Sequence, residues 1–244
     1  MAVSIKIQDT LNWLAAFIVQ RPTTGVGGTA LEPGLTSANL IMQTILAPPF
    51  KWEWNRVSTT ASITTAAGTS DYQVTLSDFG YLEKATLVNA SAVAPTPPNF
   101  ELQVYKNLAK DGEQSRPGQI AVLLDDNSGH ITFRLFPVPD GIYTVDLIYQ
   151  KAPVTATVLG GTTWTPIPDK FAFLYERGLM AQLQMMYNQQ LGLSNMEIFF
   201  RQLVAAAEGL TEMEKNIFLA DSLRSVKMQA AEMAGVQQGR AARV

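Results

Sequence analysis

The sequence predicts an α+β protein: a helical bundle formed by N- and C-terminal helices, with an antiparallel β-sandwich or barrel domain inserted between them. Three observations carry this. Apolar residues recur at helical spacing near both ends of the chain, short alternating segments occupy the middle, and clusters of Pro and Gly separate the regions. The boundaries read from these changes are 1–50 and 165–220 for a discontinuous helical body, 51–164 for the inserted β-domain and 221–244 for a C-terminal arm.

Ile7, Leu11, Leu14, Ala15 and Ile18 predict an amphipathic helix from Ser4 to about Gln20, ending before Arg21-Pro22. The Gly-, Thr- and Pro-rich stretch Thr23 to Thr36 reads as a loop. Ser37 then serves as N-cap of a short helix that Pro48-Pro49 stops near Ala47. Strands are predicted at Val57–Thr64, Asp71–Leu76, Leu82–Asn89, Phe100–Lys106 and Ile120–Asp125. Ile131, Phe133 and Leu135, and then Tyr143, Val145, Leu147 and Tyr149, share one parity each across Pro137-Val138-Pro139-Asp140-Gly141. That period of two predicts a half-buried antiparallel hairpin over His130–Pro153. Ala92–Asn99, with three prolines, and the polar Lys110–Gly118 read as surface connections and candidate contact loops.

After Gly160-Gly161, Pro166-Ile167-Pro168-Asp169 opens a helix with Phe171, Leu174, Tyr175, Leu179, Leu183 and Met186 in one stripe, running to about Gln190. Ser194-Asn195-Met196-Glu197 fits a capping box, predicting a second long helix that reaches Leu219 or beyond. The terminal segment carries Arg224, Lys227, Arg240 and Arg243 against Asp221 and Glu232, and its weak core signal marks it as an arm.

Composition narrows the function classes. The 244 residues carry a formal charge of −3, which argues against a protein whose main task is coating a phosphate backbone. There is no cysteine, which excludes disulfide scaffolding, thiolate catalysis and sulfur-rich zinc sites. Only 16% of residues are charged while 47% are hydrophobic, a balance that burial against further copies of the chain would explain. No apolar run approaches the roughly 18–20 residues of a spanning helix, and no basic leader precedes an apolar block, so neither membrane insertion nor secretion is expected.

Catalytic patterns are sparse. His130 is the only histidine and is read as structural, and no Gly-x-Ser-x-Gly elbow is present. Gly25-Val26-Gly27-Gly28 follows a helix and lacks the Gly-Lys-Ser/Thr ending of a phosphate loop, so it reads as a linker. Asp125-Asp126-Asn127-Ser128-Gly129 offers oxygen ligands without the further ligands of a calcium loop and reads as a polar turn. Trp52 and Trp54 flank Glu53 and are candidates for a domain junction or interface, with a carbohydrate platform as the alternative. No catalytic, cofactor or metal site is assigned.

Pro49-Phe50-Lys51-Trp52-Glu53-Trp54-Asn55 resembles tailed-bacteriophage proteins that join the portal of the head to the tail, as do Phe133-Arg134-Leu135-Phe136-Pro137-Val138-Pro139 with Tyr143 through Tyr149, and Ile167-Pro168-Asp169. The chain is similar to head-to-tail adaptor or connector proteins, including the tail tubular protein A group of short-tailed phages. The resemblance implies a structural virion protein, not an enzyme, assembled in the host cytoplasm without a cofactor. It implies a homo-oligomeric ring, twelve-fold like the portal above it, with a tail or nozzle protein below and DNA passing through the lumen without specific binding. By the same resemblance, Arg224, Lys227, Arg240 and Arg243 are portal-interface candidates, and the loops Ala92–Asn99 and Lys110–Gly118 are tail-facing candidates. Two readings stand beside it: a phage tail component that binds or hydrolyses cell-surface carbohydrate, and a cellular β-sandwich interaction module.

Overall fold

The computed structural model describes residues 4–18, 34–57, 61–88, 101–103, 112–126, 128–157, 161–187 and 189–241. The chain forms two compact units, one of Met1–Trp54 with Pro153–Val244 and one of Asn55–Ala152. Among the described residues no helix is long and apolar enough to cross a membrane.

The first unit holds five helices among the described residues. In α1 (Ile7–Ile18) the periodic Ile7, Leu11 and Leu14 are fully buried. α2 (Gly34–Leu46) buries Ala38, Ile41, Met42 and Ile45. Its start corrects the sequence reading: Ser37 is not the N-cap but lies inside the helix, 1% exposed on the packed face, where a small side chain admits close approach. A 3-10 turn (Asp169–Phe171) leads into α3 (Ala172–Tyr187), whose Leu174, Tyr175, Leu179 and Leu183 are solvent-free. α4 (Gln189–Ala206) packs antiparallel on α3. At Gly178 a Cβ would lie 2.9 Å from Phe199 Cε2 and 3.0 Å from Ile41 Cδ1, so the missing side chain lets α2, α3 and α4 meet.

The chain ahead of α1 is tied to the chain ahead of α3. Lys6 bridges Thr163, Ile7 N donates to Thr162 O at 3.0 Å, and Trp164 Nε1 donates to Thr10 Oγ1 at 3.0 Å. Asp169 closes the join, its carboxylate accepting from Ser4 N, Ser4 Oγ and Ile5 N. Trp164 stacks on Tyr175 with ring centroids 4.3 Å apart. Asn39 makes a reciprocal pair with the backbone of Ala156, fastening α2 to the returning chain.

A second correction concerns the long C-terminal helix. It is two helices, α4 and α5 (Glu212–Ala241), and Ser194 sits inside α4. The capping box lies at the next matching tetrad: Glu214 N donates to Thr211 Oγ1 at 3.3 Å while Glu214 Oε2 accepts from Thr211 N at 2.8 Å. Close packing forces the break, since a Cβ on Gly209 would stand 2.8 Å from Lys51 O. α5 buries one stripe only, through half-buried Phe218, Ser222 and Val226.

The second unit is a sandwich of two four-stranded sheets that do not close into a barrel. In one, β8 (Thr144–Lys151) pairs along one edge with β4 (Phe79–Val88) and along the other with β1 (Arg56–Val57) and β2 (Ser62–Thr64). The other has the order β3 (Asp71–Thr75), β7 (His130–Phe136), β6 (Gln119–Asp125), β5 (Glu101–Gln103). Pairing is antiparallel except between β5 and β6. Of the strand predicted at Phe100–Lys106, residues 104–106 lie outside the described residues, as does the loop Ala92–Asn99.

The predicted hairpin over His130–Pro153 is overturned, because β7 and β8 belong to different sheets. Their apolar rows, Ile131, Phe133, Leu135 and Val145, Leu147, Tyr149, are both buried in the sandwich core, facing each other rather than lying side by side. Phe79 of β4 contacts Phe133 edge-on at 5.9 Å and Tyr149 at 5.5 Å. Thr65 pins the crossing loop: its N donates to Tyr143 O and its Oγ1 to Gly141 O. Alternation specifies which face of a strand is buried, but not which strand is its neighbour.

Candidate interaction surfaces

Phe50, Trp52, Trp54 and Phe171 form an aromatic cluster, with Trp52 stacked 5.4 Å from Trp54 and Phe171 within 5.7 Å of both indoles. Phe218 of α5 meets Phe50 edge-on at 4.7 Å, so the cluster also seats α5. Trp52 is 3% exposed and donates Nε1–H to Ile45 O at 2.7 Å, which satisfies a carbonyl in the last turn of α2. Its face is unavailable to a sugar ring. Trp54 is half-buried beside a pocket of about 370 Å³ lined by Lys51, Glu53, Lys170, Phe171 and Glu208. Two lysines and two glutamates leave this pocket without net charge.

A larger groove of about 610 Å³ runs where α5 lies along the body, between Leu40 and Ile41 of α2, Met185 of α3, Phe199 and Phe200 of α4, and Phe218 and Val226 of α5. A cleft on α1 and α3 holds Trp13, Phe173, Glu176, Arg177, Met180 and Gln202. Burial raises the Glu176 carboxyl above its ordinary range. Arg177 turns away from it, donating from Nη1 to Asn195 Oδ1 at 2.9 Å.

The basic candidates do not form one described patch. Arg224 is exposed on α5, Lys227 and Arg240 are in the helix with side chains outside the described residues, and Arg243 lies outside them altogether. Gly25 to Gly28 also lies outside.

In the sandwich, Asp126 organises the turn between β6 and β7. Its Oδ1 accepts from Ser128 N and His130 N, and its Oδ2 lies 2.8 Å from His130 Nδ1. The amide donors, Ser128 first, hold the Asp126 carboxyl below its ordinary range. Both oxygens are thus engaged in closing a turn. The described part of Lys110–Gly118 is laced to β7 and the loop beyond it: Ser115 N donates to Val138 O and Gly118 N to Phe136 O. In the sandwich Arg56 also grips Glu83 through Nε and Nη2, and Gln150, fully buried, donates to the same carboxylate. Arg134 grips Asp71 in the same forked way across β7 and β3.

These are the features of a scaffold: engaged carboxylates, an aromatic core, and apolar faces on helices. Residues 42–226 match the family model of the SU10 adaptor protein. The chain belongs to the SU10 adaptor protein family. The SU10 adaptor match begins within α2, takes in the whole sandwich, and ends within α5 at Val226, so it includes Arg224 but not Lys227, Arg240 or Arg243. Membership makes the chain a phage adaptor protein. No curated protein matches the chain.

Sequence reasoning missed two groups of exposed large apolar side chains, on α1 with α3 and on α5. Trp13 and Phe173 are 47% and 42% exposed, and Met213, Ile217 and Met228 are 73%, 52% and 56% exposed. The signal was present in α5 as a second apolar row offset from the buried one.

Proposed function

We propose that this SU10-family adaptor is a head-to-tail adaptor of the virion, forming a ring beneath the portal and linking it to the tail around a channel for DNA. Family membership over most of the chain is the observation that carries the reading. Low charge and the exposed apolar helix faces support assembly, since each copy leaves surface that neighbours cover. Net negative charge suits a conduit, because carboxylates do not retain a passing phosphate backbone. Its work is assembly rather than catalysis, and twelve-fold symmetry follows from matching the portal.

α5 is the portal-facing element in this reading. Thirty residues of helix span about 45 Å, and described packing onto the body ends near Val226. The remainder, with Lys227, Arg240 and Arg243, is the arm that docks. The test is mass photometry of the full chain, and of a variant truncated after Val226, each alone and with the cognate portal. The full chain should convert to a portal-bound ring and the truncated one should stay folded but unbound. Portal binding by the truncated chain would move the interface elsewhere, and indifference of the full chain to portal would overturn the adaptor–portal reading.

A further inference from the structure

α5 is the most lightly held helix of the first unit. Each of α1 to α4 has buried side chains, whereas every described side chain of α5 is half-buried or exposed. It packs on α4 and is anchored by one ring, Phe218, set edge-on to Phe50 at 4.7 Å and to Phe200 at 6.1 Å. Among the described residues no hydrogen bond or ion pair joins it to the other helices. The connection from α4 is Ala207-Glu208-Gly209-Leu210-Thr211, which contains no proline. Its sequence reads as uninterrupted helix, and the break is imposed by packing at Gly209, where a Cβ would stand 2.8 Å from Lys51 O.

We propose that α5 is an exchangeable element: in assembly the connection between α4 and α5 straightens, and α5 of one copy seats on α4 of the next, its Phe218 packing between that copy's Phe50 and Phe200. The inference rests on the self-assembly proposed above and names the element that joins successive copies.

The seat identifies its own occupant. The surface at Phe50 and Phe200 is complementary to α5 because it already holds α5 within one copy, and the same contact made between copies keeps that packing. The two states then differ in the connection and in the freedom lost on association. Straightening gives up the burial of Ala207 and Leu210 and the Thr211–Glu214 box. In return, the last carbonyls of α4 and the first amides of α5 pair with each other inside one continuous helix. Donation from each copy to the next is a head-to-tail contact, which closes into a ring where its rotation allows. Copies gathered on a partner favour exchange by mass action.

Two substitutions push this equilibrium in opposite directions. Gly209→Ala adds helix propensity and sets a Cβ against Lys51 O in the closed form, so it should raise the exchanged fraction about fivefold or more. Glu212→Pro falls at the first position of α5, where proline is tolerated, but inside a straightened helix it should lower exchange about a hundredfold while the chain stays folded. Thr44→Cys and Ser225→Cys, facing each other across the groove from α2 and α5, supply the readout in a chain without cysteine. A short bismaleimide added to the full chain, with and without portal, should link oligomers into species at multiples of 26.6 kDa on a denaturing gel, more with Gly209→Ala and none with Glu212→Pro, and neither single cysteine should do so. Mass photometry of untreated samples reports assembly independently. Oligomers whose crosslinks all stay within single chains, or that form undiminished with Glu212→Pro, would overturn the exchange and leave the ring reading standing. If no oligomer forms under any condition, both fall. Should the cysteine pair fail to fold, the opposite shifts of Gly209→Ala and Glu212→Pro in mass photometry decide, and equal assembly by the two would sink the exchange.

Discussion

Asp169 illustrates how one side chain joins distant parts of the chain. It resembles an ordinary helix-opening acid, yet its carboxylate gathers Ser4 and Ile5, and so positions α1 beside α3. The Ser4 hydroxyl, followed by the backbone amides, holds its pKa below the ordinary value. A depressed carboxyl contributes stability above its unfolded pKa and loses it as pH falls through the folded one. The unfolded value is about 3.9, so the contribution is present at neutral pH and fades below about pH 4. Asp169→Ala should therefore melt earlier than the parent at pH 7, with the gap in Tm narrowing between pH 4 and 2.5. A gap constant over that range would show that the carboxylate charge does no such work. Nothing in the local sequence points to Ser4, because the partner is far away along the chain.

Among the elements, α5 depends most on its own ends. Its packed stripe is short, so the Thr211–Glu214 box carries a large share of helix initiation. Thr211→Ala should destabilise the unit by about 1 kcal/mol, read as a shift in denaturant midpoint and as loss of amide protection in the first turn of α5. No change in either would assign initiation to the Phe50–Phe218 contact instead. Two Ser/Thr-x-x-Glu tetrads lie in the C-terminal helical region, Ser194–Glu197 and Thr211–Glu214. Local chemistry fits both, and only the break beside Gly209 selects the second. β7 and β8 teach the same lesson, since their alternation shows correctly which residues are buried but leaves the pairing partner open.

At the scale of the molecule, the sandwich has the geometry of an insertion. Its incoming and outgoing strands run side by side, with Arg56 opposite Gln150 and Asn55 Nδ2 donating to Lys151 O at 3.0 Å. Its core draws only on its own strands. Residues 55–152 expressed alone should fold cooperatively into a β-protein, with a single melting transition and dispersed amide resonances. A chain that stays unfolded would make the sandwich dependent on the helical unit.

By itself the sequence determined the fold class, the helical ends around a β-rich middle, the buried rows of α1, β7, β8 and α3, and a resemblance to phage adaptors. All of these rest on periodicity and local residue chemistry, which act between near neighbours. Only the tertiary structure decided that β7 and β8 lie in opposite sheets, that Trp52 is core while Trp54 borders a pocket, and that Asp169 holds Ser4 and Ile5. Those outcomes depend on contacts between residues far apart in the chain, whose pairing is chosen by the packing of whole elements rather than by any local pattern.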